Sequence, residues 1–209
     1  MSMLLPRTPL LRRVLSLRSN RFIFAIHIRK YSPIASHSSF PATLYHFNQG
    51  PRSNLFDYDA VSQEYRDTKY GSDGVKLATD GLVHPAVYRD MPFANGALFM
   101  PNTFNMQEHV RMFYDYYLED VEGGKSIEKP LLFRIAKGTQ LPTSMTLFND
   151  FGATFSLQPS RGISLQSLNE TLDEFYSKCA EKHDLDQWLI EHKYAAAIDD
   201  AKTEKWMGV

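Results

Sequence analysis

A single cysteine, Cys179, stands among 209 residues. That excludes an internal disulfide and every zinc site built from several thiolates. No run approaches the roughly eighteen consecutive apolar residues that cross a bilayer as a helix. There is no GxxxxGKS or GxxxxGKT loop, no GxGxxG, no HExxH and no GxSxG, so the common phosphate-loop, dinucleotide, metalloprotease and serine-hydrolase signatures are all missing. Gly123-Gly124-Lys125-Ser126 lacks the upstream glycine and the preceding strand, and reads as a solvent loop. The seven histidines show no paired ligand spacing, so no metal is expected.

Acid is also missing from one end. Residues 1–56 hold eight Lys or Arg and no carboxylate; the first is Asp57. The rest of the chain carries 15 bases against all 24 acids, a net charge of −9 hidden behind an overall −1. An acidic body is a poor partner for nucleic acid, whose binding rests on neutralised phosphates. Stable nucleic-acid binding is therefore not expected.

What is present begins with a leader. Residues 1–31 are rich in Arg, Leu and Ser, the composition of a mitochondrial transit peptide, and Arg29-Lys30-Tyr31 before Ser32 fits a matrix-protease cut. A disordered basic segment is the alternative. Residues 32–41 read as a linker, 42–182 as the main domain and 183–209 as a helical extension.

In the domain, Thr43–Phe47 and Gly96–Met100 read as short strands, as do Leu131–Ala136, Thr143–Phe148 and Thr154–Gln158. Thr79-Asp80-Gly81 marks a turn between Val75–Leu77 and Leu82–Tyr88. Helices are expected over Asp57–Tyr70 and from the capping-box spacing of Asn105–Glu108 to Leu118. Another is expected over Ser164–Lys182, where Leu165, Leu168, Leu172, Phe175 and Cys179 form one apolar stripe, and a last one from Asp184 through Ala195. Cys179 on that stripe is a core residue rather than a nucleophile. Strands and helices do not alternate strictly, which points to an α+β domain on a small, mostly antiparallel split sheet with flanking helices.

Four segments carry a family resemblance. They are Leu44-Tyr45 followed by the basic His46, Gly96–Met100 running into Pro101-Asn102-Thr103, Phe133-x-Ile135-x-x-Gly138-Thr139-x-Leu141-Pro142, and Ala153–Pro159 ahead of an amphipathic helix. In this order the domain resembles the toxin domain of type VI secretion effectors of the Tse-two kind, an ADP-ribosyltransferase-like family with fungal relatives. The resemblance implies NAD as substrate, an acceptor macromolecule, and an immunity-type protein partner.

Breaking the nicotinamide–ribose bond passes through an oxocarbenium-like centre, as in glycoside cleavage. The resemblance therefore implies catalytic roles for His46 and Gln158, and NAD contacts from Tyr45, Asn102, Thr103 and Phe155. His46 stands where relatives carry Arg. Gln158 stands on the late strand where ADP-ribosyltransferases place Glu, and a neutral amide stabilises positive charge less well than a carboxylate. Glu170 and Glu174 follow on the next helix. An enzyme, a catalytically silent NAD- or protein-binding domain, and a mitochondrial structural or assembly subunit all remain open at this point.

Overall fold

The computed structural model describes residues 35–58, 74–86, 95–151 and 153–192. The basic leader, most of the helix expected over Asp57–Tyr70, the end of the Leu82–Tyr88 run and the tail beyond His192 lie outside the described residues. In chain order the elements are β1 (Ala35–His37), β2 (Leu44–Gln49), β3 (Phe56–Asp57), β4 (Gly74–Val75), β5 (Ala97–Phe99), α1 (Phe104–Glu122), β6 (Pro130–Ile135), β7 (Met145–Phe151), β8 (Thr154–Pro159), α2 (Leu165–Cys179), β9 (Ala180–Asp184) and α3 (Leu185–Glu191).

Two antiparallel sheets organise the domain, with strand orders β1-β7-β8-β5 and β2-β6-β9; β3 and β4 form a separate short parallel pair. The sheets meet at one bridge. There the Tyr45 N–H donates to the Met100 carbonyl at 2.7 Å and the Met100 N–H to the Tyr45 carbonyl at 2.9 Å. Beyond it β2 and β5 part, so the sheet is split, as the sequence predicts.

Side-chain alternation sorts β2 between two cores. Leu44 faces the main core, where the sheets and α2 enclose Phe99, Phe133, Phe155, Leu157 and Tyr176. Tyr45 faces a smaller cluster with Met106 and Val110 of α1, Leu132 of β6, and Leu185 and Trp188 of α3. The α2 stripe packs as its period requires: Leu168 and Leu172 are fully buried, Phe175 nearly so, and Leu165 and Cys179 partly. Ser164 caps the helix by accepting the Ser167 N–H.

Four boundaries differ from the sequence reading. Residues 180–182 are strand, not helix: Ala180 turns extended, and Glu181 and Lys182 pair with Arg134 and Phe133 of β6. Glu and Lys favour helix locally, and the ladder overrides them. The α1 cap is Thr103, two residues before the expected box, and the helix runs on to Glu122. Asp57 belongs to β3 rather than opening a helix. The stretch read as a linker supplies β1, which pairs with β7, and Phe40, which is buried in the main core.

Candidate active site at the sheet split

His46 lies on β2 one residue past the bridge and is 1% exposed. Its Nδ1 is 2.9 Å from the Leu98 carbonyl of β5. A carbonyl only accepts, which assigns a proton to Nδ1. Backbone groups alternate sides along a strand, so Phe47 directs its N–H and C=O to the same edge as Tyr45. In a continuous ladder the Phe47 N–H would meet the Leu98 carbonyl; here the imidazole takes that acceptor. His46 thus spans the gap as a wedge, its ring stacked on Tyr176 (5.5 Å, 25°) and beside Phe99 at 5.1 Å.

The six residues singled out from the sequence fall in three places. Tyr45, Asn102 and Thr103 gather where β5 leads into α1. Tyr45 packs edge-on against Trp188 at 5.6 Å. Asn102 is buried and accepts from Gln107 Nε2 at 3.0 Å. The Thr103 hydroxyl accepts the Met106 N–H at 3.2 Å, so it serves as the helix cap. Next to Tyr45, Arg134 bonds the Glu181 carboxylate at 2.8 Å. Burial works against the Arg134 charge, but hydrogen bonds and charge attraction from Tyr45 and Glu181 outweigh it and raise its pKa.

His46 and Phe155 share the main core through Phe99, which packs on the imidazole and lies opposite Phe155 in the β5–β8 register. Gln158 points from the other face of β8 and is fully buried. Its amide reads one peptide group at both ends: Oε1 accepts the Ala86 N–H and Nε2 donates to the Ala86 carbonyl, each at 2.8 Å. Nε2 also bonds the Ser156 hydroxyl at 2.7 Å.

Three contributors escape sequence reasoning. The Phe47 main chain leaves no signal, because its free edge depends on where two strands part. Tyr176 sits just off the apolar stripe beside Phe175, and only the fold reveals that it carries the imidazole. Asn95 is buried and ties its neighbours together, accepting the Lys76 N–H at 2.8 Å and donating to the His84 carbonyl at 2.9 Å.

Among the described residues no cluster of His, Cys, Asp and Glu suits a metal ion, and no helix is long and apolar enough to cross a membrane.

Residues 42–188 match the family described as Tse2 ADP-ribosyltransferase toxin. The chain belongs to that family. The match takes in both sheets' site strands, α2, β9 and the first residues of α3. The family implies NAD as the ADP-ribose donor and a target to receive it. No curated protein and no solved structure matches the chain.

Proposed function

We propose that this toxin domain transfers ADP-ribose from NAD, bound at the split between β2 and β5. The Phe47 edge carries the proposal. Its N–H and C=O lie beyond the last bridge and face the split, side by side, as an acceptor–donor match for a primary carboxamide. Nicotinamide ends in such a group.

The neighbouring residues then acquire roles. His46 keeps the strands apart and, through its second ring nitrogen, meets a ribose hydroxyl. Tyr45, Asn102 and Thr103 border the split on the α1 side, and Phe155 supports the floor beneath Phe99. Gln158, from the other face of β8, acts on the site through the Ala86 peptide that it holds at both ends. In the transfer, the bond from ribose C1′ to the pyridinium nitrogen breaks, its electron pair leaves with nicotinamide, and an acceptor lone pair forms the new bond.

One observation favours a second reading, a silent binding domain: His46 and Gln158 are almost wholly buried and already bonded. Purified full chain incubated with NAD separates the two. The enzyme releases nicotinamide and His46→Ala abolishes the release; the silent binder gains thermal stability from NAD without release. Neither response defeats both and favours a structural role.

We further propose that residues 1–31 direct the chain to mitochondria and are removed near Tyr31–Ser32. Mass spectrometry of the native protein finding an intact Met1 end would sink this.

A further inference from the structure

We propose that Asp80 and His84 form a general-base dyad that takes the proton from a hydroxyl acceptor of ADP-ribose. The inference rests on the function proposed above and adds the class of acceptor.

The dyad is built by the turn. The Ala78 N–H donates to the Leu82 carbonyl and the Gly81 N–H to the Ala78 carbonyl, both at 2.9 Å. Within that turn one Asp80 carboxylate oxygen accepts the Leu82 N–H at 3.0 Å, and the other meets His84 Nε2 at 2.8 Å. A carboxylate only accepts, so Nε2 holds a proton, and the tautomer this selects carries its lone pair on Nδ1. This is the base-plus-orienter arrangement that proton abstraction requires. The hydrogen bond from His84, followed by that from Leu82, lowers the Asp80 pKa and keeps the carboxylate charged.

One contact lies against the ring and two fix the main chain that carries it. A side chain at Gly162 would put its Cβ 2.5 Å from His84 Cε1, so glycine there lets the backbone lie against the imidazole. The preceding residue, Val83, bridges Ile163 with bonds of 2.8 and 3.1 Å. The His84 carbonyl is bonded by the buried Asn95, which precedes β5. Yet the two side chains remain about half exposed, 46% for His84 and 50% for Asp80, so the pair is open to solvent on the side away from Gly162.

Position ties the pair to the proposed chemistry. Ala86, two residues on, is the peptide that Gln158 grips by both ends. Two residues of chain span at most about 7 Å, so His84 stays close to that peptide. A hydroxyl binds its proton tightly and must lose it as its oxygen closes on C1′, and an imidazole is the side chain whose ordinary pKa suits that task near neutrality. The oxygen lone pair forms the C1′–O bond, nicotinamide departs with the C1′–N pair, and the hydroxyl proton passes to Nδ1 of His84. Water and an alcohol side chain present the same O–H group.

The test uses the full chain with saturating NAD, water as acceptor, and methanol added as a simple alcohol. Expected is a fall in the kcat of nicotinamide release of about 100-fold or more in His84→Ala, in the range for loss of a general base. KM for NAD and the melting temperature should stay near wild type. Added imidazole should restore His84→Ala, which a structural role would not allow. Asp80→Asn retains the oxygen that caps Leu82 and should lose kcat without loss of NAD affinity. The product, methyl ADP-riboside or ADP-ribose, shows which hydroxyl the wild type uses, and its formation must fall together with kcat in His84→Ala for the dyad to stand. A wild type that releases nicotinamide while His84→Ala keeps its kcat overturns the dyad alone. A wild type that releases none overturns the transferase reading as well.

Discussion

The imidazole of His46 takes the Leu98 carbonyl that the Phe47 N–H would otherwise receive, and this substitution of side chain for main chain keeps the two sheets apart. His46→Ala removes the donor and leaves both a hole under Tyr176 and an unpaired carbonyl. A loss of about 2–4 kcal/mol is expected in urea unfolding. His46→Asn keeps an N–H near the Nδ1 position and should lose clearly less. Equal losses in the two variants would show that packing alone, not the bond, matters here.

Leu172 is fully buried on the α2 stripe. Leu172→Ala should cost about 2–5 kcal/mol, as a large-to-small change in a close-packed core. A change below about 1 kcal/mol would mean that the helix does not seal the core as described.

Asn169 of α2 holds the segment after β2. Its Oδ1 accepts the Leu55 N–H at 2.9 Å and the Ser53 hydroxyl at 2.7 Å, and its Nδ2 donates to the Leu55 carbonyl at 2.9 Å. Asn169→Ala strands a nearly buried peptide and should cost about 1–3 kcal/mol. Limited proteolysis should then cut between residues 50 and 58 first, and an unchanged pattern would argue against this clamp.

Burial lowers the His37 pKa, so the folded chain binds a proton there less readily than the unfolded chain does. Stability from this residue is thus full above the unfolded pKa of about 6.5 and falls as pH drops toward the folded value. His37→Gln should flatten that part of the profile between pH 8 and pH 5, read as melting temperature. Identical slopes for the two proteins would exclude His37 as a source of the dependence.

Period and turn chemistry carried much of the architecture. The α2 stripe, the strand at Ala97–Phe99 and the turn at Asp80 are local patterns that tertiary contacts reinforce. The failures share a cause. Ala180–Asp184 has the composition of a helix end, and only pairing with β6 makes it a strand. Ala35–His37 looks like a linker until β7 arrives from more than a hundred residues away. At the site, the family motifs identified the strands correctly, but His46 and Gln158 point in directions fixed by which strands part and which loop covers them. The His84–Asp80 pair escaped notice because an (i, i+4) contact through a turn leaves no periodic trace.

The pairing of β1 with β7 also sets a clock. Ala35 meets Asn149, so the first strand of the domain has no partner until the chain has grown past that point. At synthesis rates of about 5–20 residues per second, that wait lasts about 6–23 s. Phe40, which ends up buried, waits longer still for Phe175, the ring it stacks on at 6.0 Å. Pairings this distant in sequence are slow to close even once both strands exist. The edge strand β1 therefore stays unpaired, and its end of the main core unsealed, until β7 and then α2 have followed it out.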